Sequence, residues 1–203
     1  MKVWWCAQSP PRPPPPNFWL AEQIFASRTL FADDTPIPVL DPGRRRTRTG
    51  RLWVYARDDQ RWAGLDPPAA VYFYSPDRRA ERPATHLAHF SGILQVDGYA
   101  GFEQLTARGT ISLAACWAHS RRKFYEVHET TGSPIAAEAL RRIAELYAVE
   151  REIRGQSADV RKTVRGIRSR SLVEAMKPWL ESQLTRLPPR STLAEAIRYA
   201  LAR

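Results

Sequence analysis

The stretch GILQVDGYAGF, residues 92–102, largely decides how the rest of the chain is interpreted. Its first five residues form a short, mostly apolar run of the kind that is typical of a buried strand, and Asp97 follows at once. A second stretch, TLFADDTP at residues 29–36, likewise leads from an apolar run to Asp33. A carboxylate exposed where such a strand ends is a natural ligand for a hard cation such as Mg²⁺. On local sequence alone, however, a turn is the preferred interpretation of each aspartate.

The composition favours a polyanionic partner. The chain has 203 residues, 43% of them hydrophobic, and a formal net charge of +10. Two such carboxylates in a strongly basic chain indicate metal-dependent chemistry on a phosphodiester. There is no apolar run long enough to span a bilayer and no secretory signal at the start, which argues against a membrane partner. Two cysteines, Cys6 and Cys116, make no disulfide framework and favour a reducing cytoplasm.

The hydrophobic pattern changes twice along the chain. Residues 1–28 contain a run of prolines and are predicted to be an extended, disordered tail. Residues 29–116 have the short alternating runs of strands, and the remainder has helical periodicity, so the sequence predicts an α/β fold. Predicted strands are 30–40, 51–56, 70–74, 92–96 and 111–116. Predicted helices are 83–90, 117–129, one that begins at Pro134 and is stopped by Gly155, 172–187 with a kink at Pro178, and a last one with a capping box from Thr192.

Four ordered stretches resemble one known family, the insertion-sequence-66 family of transposases. They are ADDTP (32–36), TGRLWVY (49–55), LQVDGYAGF (94–102) and CWAHSRRKF (116–124), and the resemblance covers residues 29–203. It implies a ribonuclease-H-like mixed sheet of about five strands at 29–129, followed by a helical insertion at 130–203.

The resemblance also implies a three-carboxylate (DDE) site that binds Mg²⁺ or Mn²⁺ and performs DNA strand cleavage and transfer during transposition. Asp33 matches the first carboxylate and Asp97 the second, whereas Asp34 is interpreted as a neighbour and not as a ligand. The family's glutamate lies beyond the helical insertion, in a motif resembling Asn-Asn-x-x-Glu-Arg that these 203 residues lack. We therefore interpret the chain as a fragment, incomplete at the C-terminus and inactive by itself.

Two basic segments are candidates for contacts with DNA phosphates. Arg44, Arg45, Arg46 and Arg48 concentrate charge in one loop and would add affinity without reading sequence. Arg121, Arg122 and Lys123 fit phosphate contact and an ordinary solvated helix face equally well. Cys116 and His119 have a spacing seen in zinc sites, but two ligands are too few. A buried cysteine and a histidine at the start of a helix are the favoured interpretation. Because His119 follows the fifth predicted strand, its approach to the acidic site stays open as the alternative.

The expected partners are transposon-end and target DNA, together with a second copy or a full-length transposase, in the bacterial cytoplasm at the nucleoid. One alternative is a non-catalytic remnant that binds DNA or a transposase. Another, which rests only on the long C-terminal helices, is an interaction module without a role on nucleic acid.

Overall fold

The structure, a computed structural model, describes residues 16–41, 43–44 and 46–202, and describes all their side chains except those of residues 16–18, 61 and 62. The chain forms a mixed α/β fold with one five-stranded sheet and seven α-helices in these residues. The strands are β1 (Thr29–Asp41), β2 (Arg46–Arg57), β3 (Ala69–Ser75), β4 (Gly92–Val96) and β5 (Ile111–Ala115), and the helices are α1 (Pro16–Phe25), α2 (Glu81–His86), α3 (Trp117–Thr131), α4 (Pro134–Glu152), α5 (Ala158–Val164), α6 (Arg170–Leu184) and α7 (Thr192–Leu201). Short 3₁₀ helices lie at Asp59–Trp62 and Ala100–Arg108, and a π-helical turn at Arg165–Ser169 joins α5 to α6.

The sheet has the strand order β3-β2-β1-β4-β5. β1, β2 and β3 are antiparallel neighbours, whereas β1, β4 and β5 run parallel. Gly92 starts β4 where the chain passes very close to β1: a Cβ there would lie 2.3 Å from the carbonyl oxygen of Arg28. The prediction of a five-stranded α/β fold is confirmed, and β4 has the predicted bounds.

The two prolines of β1 do not end the strand. β1 pairs with β2 along its whole length, from Phe31 to Asp41, but with β4 only at residues 29–31. Beyond that point its other edge has no partner strand among the described residues, so Pro36 and Pro38 remove no ladder hydrogen bond there. Since β3 pairs with β2 only from Arg51 onward, residues 37–41 and 46–50 extend past the sheet as a two-stranded ribbon.

One face of the sheet is covered and contains the first core. Alternate residues such as Leu30, Trp53 and Leu94 are fully buried there. They pack against α1, α2 and the 3₁₀ helix at Ala100–Arg108, which contributes Phe102. The opposite face is open, with Tyr72, Tyr74 and Ile93 about half exposed.

The folded region begins earlier than the sequence analysis predicted. Residues 16–25, assigned there to the disordered tail, form α1, and its Ala21 and Ile24 are buried in the first core. The helix forms because these side chains find apolar partners on the sheet, a gain that a local proline pattern does not reveal. The proline run up to residue 15 lies outside the described residues.

The helices from α3 onward form a second core. Phe124, Ile143, Met176, Leu180 and Ile197 are buried together. Helix α3, which the sequence analysis grouped with the sheet, therefore packs with the helices.

Two further predictions for the helical region can be compared with the structure. The capping box of α7 was misplaced by one residue, because the Ser191 hydroxyl accepts the hydrogen bond from the Ala194 amide and Thr192 is the first helical residue. Pro178, the predicted position of a kink, lies inside α6, which continues as one helix from Arg170 to Leu184.

No helix in the described residues is both long and apolar enough to cross a membrane.

Candidate active site

Asp33 and Asp97 lie side by side at the same edge of the sheet. The parallel pairing of β1 with β4 aligns Phe31 with Gln95. Asp33 lies two residues beyond Phe31 in β1, and Asp97 lies two residues beyond Gln95, just past the end of β4. Both aspartates line one cavity of about 160 Å³ on the open face of the sheet. The topology therefore brings together two carboxylates that are far apart in sequence.

Local hydrogen bonds orient both carboxylates. Asp97 Oδ1 accepts a hydrogen bond of 2.9 Å from the Tyr99 amide, and Asp33 Oδ1 accepts one of 2.8 Å from the Asp34 amide. Asp97 is thus both a turn residue and a member of the cavity, so the turn interpretation and the site interpretation are compatible. Asp33 is exposed and Asp97 is half-buried.

Asp34 has a different environment from its neighbour. Its side chain is fully buried, and its oxygens accept hydrogen bonds of 3.0 Å from Arg51 Nη1 and of 2.9 and 3.0 Å from Arg78 Nε. Arg78 Nη2 lies 2.7 Å from Asp34 Oδ1. Two guanidinium groups hold this carboxylate, which fits a structural neighbour of the site.

Arg78 connects Asp34 to Asp97. Its Nη2 atom lies 3.5 Å from Asp97 Oδ2, and its guanidinium carbon lies 4.1 Å from the ring centroid of Tyr99. The Tyr99 hydroxyl donates a hydrogen bond to the Arg78 carbonyl oxygen. Burial opposes the charged form of Arg78, but its hydrogen bonds with Asp34 and the charges of Asp34 and Asp97 outweigh this effect and raise its pKa. Arg78 is therefore a permanent positive charge beside Asp34 and Asp97.

Cys116 and His119 reach the same cavity as the aspartates. Helix α3 starts immediately after β5, so its first turn lies at the same edge of the sheet. The buried Nδ1 atom of His119 has no hydrogen-bond partner in the part of the chain that the structure describes. His119 thus lies beside the aspartates, which the sequence analysis held only as the less favoured alternative.

The donor set fits a hard divalent cation in part. Asp33 and Asp97 offer oxygen atoms of the type that Mg²⁺ and Mn²⁺ prefer, and Mg²⁺ commonly takes water or substrate oxygens as its other ligands. Within residues 16–41, 43–44 and 46–202, however, no group of three or more His, Cys, Asp or Glu side chains has the arrangement of a metal site. The described residues therefore bring together two candidate carboxylate ligands, Asp33 and Asp97.

A second and larger cavity, of about 320 Å³, adjoins the first and shares Asp97 and His119 with it. Arg122 and Lys123 line this cavity, but Arg121 does not; its guanidinium carbon lies 5.7 Å from the ring centroid of Tyr125. The structure therefore separates three basic residues that are consecutive in sequence.

The basic loop lies away from the aspartates. Arg44, Arg46 and Arg48 are exposed on the β1–β2 ribbon, and Arg45 lies outside the described residues. Arg48 pairs with Val39, six residues along β1 from Asp33, which is a distance of about 20 Å. These arginines are placed to contact a long ligand at a distance from the aspartates.

Sequence reasoning missed two residues of this region. Arg78 lies in a polar segment without periodicity or motif, and only its contacts with Asp34 and Asp97 reveal it. Tyr199 lines the larger cavity from α7, about a hundred residues after Asp97 in the chain. No local signal in the sequence could have found either residue.

Comparison with known proteins assigns these features to a family. Residues 18–203 match the family described as Transposase IS66 family. Three similar proteins of Sinorhizobium fredii (strain NBRC 101917 / NGR234) bear the names uncharacterized protein y4jD, y4qI and y4hP. The first is 45% identical over 185 residues, which are 88% of this chain and 36% of the relative. The second is 40% identical over 192 residues (91% and 36%) and the third 42% over 205 residues (93% and 37%).

The chain thus spans 36–37% of the length of these relatives. No solved structure matches it.

Proposed function

The chain belongs to the Transposase IS66 family, and from this premise we propose that it carries two of the three carboxylates of a DDE site for DNA strand cleavage and transfer. Asp33 and Asp97 are the proposed catalytic and metal-binding residues. The observation that carries the proposal is their position side by side at one edge of the sheet, lining one cavity. The strand order β3-β2-β1-β4-β5, in which β1 pairs antiparallel with β2 and parallel with β4, supports a ribonuclease-H-like core.

The proposed chemistry requires divalent cations. When bound, Mg²⁺ or Mn²⁺ activates the attacking oxygen and stabilises the leaving oxygen of a phosphodiester. In this chain Asp33 and Asp97 would hold them, and the amides of Asp34 and Tyr99 keep the two carboxylates oriented. Arg78, beside Asp97, balances negative charge that two carboxylates and a phosphate would otherwise accumulate.

The proposed substrate is DNA, bound through its phosphates. The net charge of +10 supports a polyanionic partner. The β1–β2 ribbon with Arg44, Arg46 and Arg48 and the α3 residues Arg122 and Lys123 are the proposed phosphate contacts. Such contacts give affinity that depends on salt and little on base sequence. The same proposal includes an oligomer that acts on the transposon ends. It also places this action in the cytoplasm, at the nucleoid.

A second candidate function is that of a non-catalytic remnant that binds DNA or a longer transposase. Arg78 favours it, because a guanidinium 3.5 Å from Asp97 Oδ2 repels an incoming cation. The described residues also supply only two ligands at the site. We therefore propose that residues 1–203 alone perform no strand transfer and at most trace nicking, since catalytic groups that act as a unit fail together.

A chimaera tests the proposed function. Residues 29–203 replace the segment that they match in a longer relative such as y4jD, and nicking of supercoiled DNA is measured with Mg²⁺ or Mn²⁺. The chimaera should nick DNA, and Asp97→Asn or Asp33→Asn should abolish nicking while DNA binding persists or strengthens. Asp66→Asn, in an exposed loop, is the matched control and should change nothing. Robust cleavage by residues 1–203 that survives Asp97→Asn would overturn the proposal.

A further inference from the structure

The larger cavity beside Asp97 lies between three elements of the fold. The segment after β4 provides Asp97 and Tyr99, α3 provides Arg122 and Lys123, and α7 provides Tyr199. Its volume of about 320 Å³ lies at the lower end of the range for small-molecule sites. The cavity therefore has room for one nucleotide-sized group, immediately beside a proposed catalytic carboxylate.

The charge of the cavity favours an anion. Arg78, Arg122 and Lys123 contribute three positive charges to its wall, whereas Asp97 and Glu126 contribute two negative ones. Arg122 and Lys123 are neighbours on α3, whereas Arg78 comes from a distant part of the chain, so the fold adds a third cation to those of the helix. A phosphate group is the anion that the proposed function would bring to this place.

The cavity also presents aromatic rings next to its cations. Lys123 Nζ lies 4.7 Å from the ring centroid of Tyr199, and the Arg78 guanidinium carbon lies 4.1 Å from that of Tyr99. Both tyrosines are half-buried, so their rings are held in place and remain accessible. Aromatic rings beside cations are the elements with which proteins bind unpaired nucleotides, because the ring stacks on the base while the cation contacts the backbone.

The shape of the cavity selects among nucleic-acid forms. A paired base inside a duplex cannot enter a concave site of this size, whereas a nucleotide that has left the stack can. We propose that this cavity receives a single unpaired nucleotide of the DNA strand next to the phosphodiester that Asp97 faces. Tyr199 contacts the base and Lys123, with Arg122, contacts its phosphate. This inference rests on the proposed function, because it takes DNA as the substrate.

Helix α3 offers a matched control for the test. Lys123 pairs with Tyr199 inside the cavity, whereas Arg121 pairs with Tyr125, which is exposed, outside it. Both cations lie on the same exposed stretch of helix, two residues apart. Arg121→Gln and Lys123→Gln therefore both remove one positive charge from α3. Only Lys123→Gln also removes a side chain that lines the cavity.

The experiment measures binding of the full chain to two DNA hairpins by fluorescence anisotropy. One hairpin is fully paired, and the other is identical except for a single unpaired nucleotide in its stem. The unmodified chain should bind the second hairpin roughly 10-fold more tightly, in line with the stacking of one base on an aromatic ring. Lys123→Gln and Tyr199→Leu should each remove this preference, whereas Tyr199→Phe, which keeps the ring, should retain it. Arg121→Gln should weaken binding to both hairpins equally.

The outcomes separate the inference from the function on which it rests. Equal affinity of the unmodified chain for the two hairpins overturns the cavity assignment and leaves the DNA-binding proposal intact. Loss of the preference in Arg121→Gln as well as in Lys123→Gln also overturns it. No binding to either hairpin at low salt contradicts both the inference and the proposed DNA partner.

Discussion

Asp33 and Asp34 are adjacent in the chain but differ in environment, and this difference predicts different effects of the same substitution. Asp33 is exposed and accepts one local hydrogen bond, from the Asp34 amide. Asp34 has a fully buried side chain between Arg51 and Arg78. Asp34→Asn therefore removes the charge from a buried ion-pair network, while Asp33→Asn changes a surface carboxylate.

The magnitude follows from the contacts of Asp34. The guanidinium groups of Arg51 and Arg78 lie 3.0 and 2.7 Å from the carboxylate oxygens of Asp34, which is hydrogen-bonding distance. Removing one partner of a buried ion pair typically costs about 3–5 kcal/mol. Here the side chains of Arg51 and Arg78 remain 24% and 36% exposed, so water partly compensates their charges. We expect Asp34→Asn to lower the free energy of unfolding by about 2–3 kcal/mol, and Asp33→Asn to change it by less than about 0.5 kcal/mol.

Urea denaturation at fixed pH and ionic strength measures both effects. Trp53, one of seven tryptophans, is fully buried, and its indole N–H donates a hydrogen bond of 2.8 Å to the Ser75 hydroxyl, so its exposure on unfolding contributes to the change in tryptophan fluorescence. Circular dichroism provides a second probe of whether unfolding is a single transition. Equal stability of the two variants, or a larger loss in Asp33→Asn, would refute this account of which aspartate is structural.

Two further predictions concern DNA binding and pH. Replacing Arg44, Arg45, Arg46 and Arg48 together by Gln should flatten the log-log salt dependence of DNA affinity by about one unit for each phosphate that these arginines neutralise, whereas an unchanged slope would exclude the ribbon from phosphate binding. Burial, together with the charge of Arg82, lowers the pKa of His86 to about 4, and its Nδ1 lies 2.9 Å from the Tyr55 hydroxyl. Because the unfolded chain then binds the proton more readily, stability should fall by about 1–2 kcal/mol as the pH drops from about 6.5 to 4, after allowance for the partial exposure of the ring. Urea midpoints at both pH values should show a smaller change in His86→Gln, and the same change in both proteins would contradict the assignment to His86.

The sequence by itself determined the strands, most of the helices and the place of Asp97. Alternating side chains with one buried face have a period of two, which is visible locally, and β4 was predicted residue for residue. The four motif stretches indicated the family that the comparisons then showed. These features are local, because strand propensity, helical period and motif spacing are all properties of neighbouring residues. That Asp33 and Asp97 bind metal and act in catalysis stays a prediction.

Only the tertiary structure decided which residues meet. The pattern around residues 16–25 gave no sign of α1, which exists because Ala21 and Ile24 are buried against the sheet. Nor did two consecutive aspartates reveal that Asp34 is the one enclosed by arginines. Asp97 lies near Asp33 and Arg78 because β4 pairs with β1. Tyr199 lines the same cavity as Asp97 because α7 packs in the helical core. All of these contacts join residues that are far apart in the chain. Burial, charge pairing and cavity shape depend on such long-range contacts, and a sequence pattern records only what lies within a few residues.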